Sequence, residues 1–229
     1  MHTKREDAII DLGNSFREMS DIVLAQLTLL EKFMLEEDSK TRNEILDSIT
    51  ANEDKIDKFE VVISDKFINT IVLYQPVASD IRNLVSIYRM MINLERIGDL
   101  VLNITDSINA IRETDEYREM SGVILNMLLS GISMVEKSLI SFINGDKEYA
   151  VWTIKNDEVV DEMNRKLLIN SISKANIKSK TREMLLSYVD LKNILTNIER
   201  IADHATNIAE ASIYSLEGMD IRHKGFDAI

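Results

Sequence analysis

The chain has no cysteine, a single proline and only seven glycines. Without cysteine it can form neither a disulfide nor a thiolate metal site, a usage that fits a reducing compartment. With Pro76 as the one proline, long stretches contain no helix breaker. Each breaker would cost a helix interior about 1 kcal/mol for glycine or about 3 kcal/mol for proline, so their scarcity favours helices. Basic residues are also in deficit. The 27 Lys and Arg face 39 Asp and Glu, for a net charge of −12. That balance excludes a general nucleic-acid binder, which needs clustered cations for phosphate. Three histidines, no Gly-x-Ser-x-Gly and no glycine-rich phosphate loop speak against a hydrolase. The most apolar window, "GVILNMLLSGISMV" (residues 122–135), is interrupted by Asn126 and reads as too short to cross a bilayer, and "MHTKREDAIID" at the N-terminus has no apolar signal core. The expectation is a soluble protein with no membrane insertion.

What remains is 45% hydrophobic and 29% charged, the balance of a globular protein. Apolar residues recur at helical spacing, as in the stripe Leu12, Phe16, Met19, Val23, Leu27, Leu30 and Met34. A second helix is expected from residue 39 to about Tyr74. A third runs to about Arg112, with Pro76 suiting its first turn, where a missing N–H costs nothing. Three more are expected over residues 121–143, 146–173 and 181–216, with breaks at "NGD" (144–146) and "KANIKSK" (174–180). The fold class is all-α.

The two halves repeat one another. "LERIGDLVLN" at 94–103 returns as "IERIADHATN" at 198–207, an offset of 104 (199 − 95). "NEDKID" at 52–57 returns as "NDEVVD" at 156–161 at the same offset (156 − 52), so the alignment between the two places is uninterrupted. The economical reading is two tandem pseudo-repeated three-helix bundles of six long helices, residues 1–116 and 117–229.

Some of the repeated residues carry chemistry. Glu95 and Asp99 are four apart and so lie on one helical face, with Asn103 a turn further; Glu199, Asp203 and Asn207 repeat this. On the preceding helices stand Glu53 with Asp57, and Asp157 with Asp161. A single pair of this kind usually marks a solvated face. The pairs are, however, matched in depth about each turn. Asp57 and Glu95 are each 19 residues from Pro76 (76 − 57, 95 − 76), and Glu53 and Asp99 each 23. Asp161 and Glu199 are each 19 from Lys180, and Asp157 and Asp203 each 23. Antiparallel helices rising about 1.5 Å per residue bring such pairs level. Four clustered carboxylates repel unless cations offset them, and oxygen donors suit Mg²⁺, Mn²⁺, Fe or Ca²⁺. The candidate metal ligands are therefore Glu53, Asp57, Glu95, Asp99, Asn103, Asp157, Asp161, Glu199, Asp203 and Asn207. His204, about 100° round the helix from Asp203, is a secondary ligand at best. Arg96 and Arg200 serve equally well as surface ion pairs. No catalytic residue is expected. A ferritin-like di-metal enzyme would need Glu-x-x-His motifs, and no Glu here has His three residues on.

"QPVASDIRNLVSIYRMMINLERIGD" (75–99) and "NIERIADHATNIAEASIYSLEGMDIRH" (197–223) resemble the two signature segments of the PhoU family of bacterial phosphate-uptake regulators, and the resemblance covers nearly the whole chain. It implies paired three-helix bundles, homodimers, and multinuclear metal clusters held by acids at this spacing. It also implies a cytoplasmic adaptor, at most peripheral to the inner membrane through its partners. Those partners would be the phosphate transporter's ATPase subunit and the phosphate-sensing histidine kinase, and the effect a restraint on phosphate uptake and starvation signalling. A cytosolic PhoU-like domain detached from a sodium–phosphate cotransporter is the nearest alternative. The complete C-terminal segment and the absence of an upstream span favour the free-standing protein. Gly98 against Ala202 is a departure between the repeats that reads as neutral, both residues being small.

Overall fold

The computed structural model describes residues 3–174 and 182–222, and the side chains within it except those of 168–174 and 183. Six α-helices follow one another: α1 (Lys4–Leu35), α2 (Ser39–Tyr74), α3 (Ala78–Ile111), α4 (Asp115–Asn144), α5 (Lys147–Lys174) and α6 (Arg182–Glu217). Each of the first three packs on the other two, and α4 to α6 do the same. The two sets meet chiefly where α3 lies against α6, with a lesser contact between α1 and α4. One continuous apolar core draws on all six helices, from Leu12 and Phe16 on α1 to Ile201 and Ile208 on α6. The halves are therefore fused through α3 and α6.

Local signals explain the helix limits. α1 begins eight residues before its apolar stripe, because Thr3 and Glu6 form a reciprocal capping box in a charged stretch. α4 begins at Asp115 and not near Ser121, because the Thr114 side chain accepts from the Tyr117 N–H and Asp115 and Glu116 occupy the positive end of the helix dipole. Pro76 lies outside the first turn of α3, correcting the expectation. Gln75 takes a left-handed conformation (φ 44) that closes α2, proline disfavours a helical residue before it, and Val77 becomes the N-cap. The far end of α1 is held by Arg112, whose guanidinium donates to the carbonyls of Phe33 and Glu36. The turn around Lys180 and the "KGFDAI" end lie outside the described residues.

The apolar window of 122–135 turns out to be part of a longer element. α4 has 30 residues and a window of mean hydropathy 1.5, so by length and composition it could cross a bilayer, against the expectation that this segment is too short. Half of that window is buried within the protein, where Ile124, Met127, Leu128 and Val135 join the core. That burial accounts for its apolarity.

Candidate metal centres

In the first hairpin Glu53 is the buried member, although acids rarely occupy such positions alone. Its Oε2 accepts from Gln26 Nε2 at 2.8 Å, while its Oε1 is buried without a hydrogen-bond partner. Burial pushes the Glu53 carboxyl up to about 7, against the pull of Gln26, and the charges of Asp99, Asp57 and Glu95 raise it further. Burial likewise raises Glu95, with Asp99, Glu60 and Asp57 adding to it. The four expected carboxylates of this half thus act on one another. Asp57 and Asp99 are exposed and Glu95 is half-buried, so the cluster opens to solvent with Glu53 at its floor.

The second hairpin assembles more tightly. Asp157, Asp161 and Asp203 each present an oxygen within 4.8 Å of those of the other two, an acidic triad able to coordinate a metal. Among the described residues no trio in the first half comes so close. Burial, then Asp203 and Asp161, pushes Asp157 up to about 6 against the pull of the Thr206 hydroxyl, and its Oδ1 is buried with no partner at full hydrogen-bond geometry. Burial, then Asp161, raises Asp203, while Arg200 opposes the shift. Glu199 is raised by burial and by Asp161, and accepts a hydrogen bond from Asn164 Nδ2.

The floors of the two clusters differ in a compensating way. An added Cβ on Gly98 would stand 2.5 Å from Glu53 Oε2, so glycine lets the Glu53 carboxylate keep its place. At the equivalent places, 104 residues on, the acid is one methylene shorter (Asp157) and the helix carries Ala202. Gly98 against Ala202 is therefore matched to Glu53 against Asp157, where the sequence reading took it as neutral.

Asn103 and Asn207 lie one turn beyond Asp99 and Asp203. Each lines a groove between α3 and α6, Asn207 with Arg96 and His204, and Asn103 with Arg200. His204 is buried and turned toward α3. The Asn93 amide nitrogen donates to the Arg89 carbonyl, which leaves its oxygen to accept from His204 Nδ1 at 2.9 Å. Burial, with Arg96 and Arg200 adding, lowers His204 to about 4, so it is neutral at pH 7. Three participants escaped the sequence reading: Gln26, Glu60 and Asn164. The last two were within reach, since they occupy equivalent positions (164 − 60 = 104) one turn beyond Asp57 and Asp161. Gln26 was marked only by a polar side chain beside Val23 and Leu27 on the apolar stripe.

Fold and site together define an internally duplicated six-helix protein with a carboxylate cluster in each half. The PhoU domain family matches it twice, over residues 16–108 and 119–212. Among curated proteins, a phosphate-specific transport system accessory protein PhoU homolog of Aquifex aeolicus is 37% identical over 192 residues, 81% of this chain and 82% of the relative. The PhoU homolog 1 of Thermotoga maritima is 30% identical over 190 residues, 81% and 79% of the two chains. The crystal structure of PhoU from Pseudomonas aeruginosa superposes with a TM-score of 0.75 over 93% of this chain and 99% of that one, at 22% identity. The phosphate transport system regulatory protein PhoU of Streptococcus pneumoniae gives 0.73 over 95% and 99%, at 20% identity, so the same helical architecture is shared. The chain belongs to the PhoU family, whose members are regulatory and non-catalytic, and its general role lies in the regulation of phosphate transport and homeostasis.

Proposed function

We propose that the protein is a metal-loaded cytoplasmic adaptor that restrains phosphate uptake and phosphate-starvation signalling, acting as a homodimer between the transporter's ATPase subunit and the sensor histidine kinase. In this reading the chain divides near residue 116 into two bundles, each holding a divalent or multinuclear centre of Fe, Mn or Mg. Glu53, Asp57, Glu95 and Asp99 serve the first centre, and Asp157, Asp161, Glu199 and Asp203 the second. Asn103 and Asn207 extend each centre by one helical turn, toward the α3–α6 grooves that they also line.

The observation that supports it is the pair of clusters with raised carboxyl groups and orphaned buried oxygens, Glu53 Oε1 and Asp157 Oδ1. All their donors are oxygen, which suits hard or borderline cations. A bound cation would supply positive charge that lets closely spaced carboxylates stay ionised. Gln26 and Asn164 hold Glu53 and Glu199 in place from outside each cluster, as supporting hydrogen bonds do around metal ligands. Partners are tested by affinity capture from phosphate-replete cells together with deletion of the gene. Recovery of the ATPase subunit or the kinase, with starvation signalling released on deletion, is the expected result. Recovery of neither, with unchanged signalling, contradicts the role.

A further inference from the structure

The repeated block uses its residues in two ways. Its carboxylates go to the clusters, while its asparagines and arginines gather elsewhere, in two grooves along the contact of α3 with α6. One groove, of about 300 Å³, is lined by Arg89, Asn93, Arg96, Asn207, Asp220 and Arg222, among others. The other, of about 430 Å³, is lined by Asn103, Asp106, Lys192, Asn193, Asn197 and Arg200, among others. The same offset of 104 relates them: Asn93 to Asn197, Arg96 to Arg200, and Asn103 to Asn207. They are two versions of one site.

The first version already holds an oxyanion, supplied by the chain itself. The Asp220 carboxylate reaches into it from beyond α6 and pairs with Arg222 at 2.5 Å and Arg89 at 3.8 Å. Glu210 also lines the first groove, and Asp106 stands at its place in the second (210 − 104 = 106). Lys192 and Arg200 make no ion pair there among the described residues, although acids outnumber bases in the chain by 39 to 27. Asp106 is the single acid lining that groove, against these two cations.

We propose that the groove formed by Asn103, Lys192, Asn197 and Arg200 binds a tetrahedral oxyanion of the phosphate type. The donor set decides between a carboxylate and a phosphate. A guanidinium fork, an ammonium and two side-chain amides line the groove from both helices, more donors than two carboxylate oxygens can use, whereas the four oxygens of phosphate can engage all of them. The groove is open, so its attraction is screened by salt and its affinity falls as ionic strength rises. Arg200 also acts on Asp203 of the second cluster, so the test is run with and without chelator.

The test is calorimetric titration of the full chain with inorganic phosphate at low salt, as purified and again after chelator treatment, which removes any phosphate held through metal. One saturating equivalent is expected in both. Arg200→Gln and Lys192→Gln should each weaken it about tenfold, a loss of about 1.4 kcal/mol, while Arg96→Gln changes it less than about twofold. Glycerol phosphate in place of phosphate tells a free anion from a phosphoryl group on a larger molecule, since only the second source requires that the ester also bind. Thermal melts of the variants confirm folding, which these surface changes should preserve. No saturable uptake by about 10 mM phosphate, wild-type affinity in Arg200→Gln, or equal loss in Arg96→Gln each overturns the proposal.

Discussion

At the scale of single residues, the meeting of Glu53 and Gly98 shows how the two clusters can be equivalent without being identical. A methyl group at 98 would fall 2.5 Å from Glu53 Oε2, too close to be absorbed without moving the carboxylate. Gly98→Ala is therefore expected to displace Glu53 and weaken cation binding in the first half at least about tenfold. Adding Glu53→Asp should restore much of the loss by recreating the pairing of Asp157 with Ala202. Titration of Mn²⁺ into each variant, read by calorimetry, checks both outcomes. The same residues set a pH dependence. Folding raises Glu53 from 4.5 to about 7 and Asp157 from 3.8 to about 6, so the folded state binds protons that the unfolded chain does not. Metal-free protein should then gain stability as pH falls from about 7.5 to about 5. His204 works in the opposite sense. Its value is lowered from 6.5 to about 4, so the unfolded chain protonates first and stability is lost across that window. Two carboxyls outweigh one imidazole, and a thermal midpoint in chelator that rises toward about pH 5.5 is the expected net result.

At the scale of helices, the ends depend on side chains that apolar periodicity does not reveal. Arg112, just past α3, donates to the carbonyls of Phe33 and Glu36 at the end of α1, joining two termini remote in sequence. Arg112→Ala should destabilise the protein by about 1–3 kcal/mol, measured by urea unfolding, because those half-buried carbonyls lose a charged donor. The six helices were legible because the breakers are so few. Their starts were less so: the Thr3 capping box lies in a charged stretch, and Thr114 begins α4 before its apolar pattern sets in. The clusters were legible through a repeat that preserved both spacing and chemistry. Gln26 was not, because it enters from α1, outside the repeated block. Asn103 and Asn207 were placed with the metal ligands because a step of four positions keeps them near the aspartate stripe. Both amides also line the grooves where α3 packs against α6.

At the scale of the molecule, duplication has produced two carboxylate clusters in helix sets that share one core. The second is the more compact, with Asp157, Asp161 and Asp203 within 4.8 Å of one another, and is expected to fill at lower metal concentration than the first. Because both clusters leave buried carboxylate oxygens without partners, a cation bound only by the folded chain should raise the melting temperature by mass action. The most direct measurement is elemental analysis of protein purified with neither added metal nor chelator, comparing wild type with Asp99→Ala, Asp203→Ala and the double variant. The wild type should carry divalent metal, each single variant should lose the share of its own half while keeping the other, and the double variant should carry almost none. Metal content that is the same in all four proteins, or no metal in any of them, would contradict the claim that these carboxylates are cation sites.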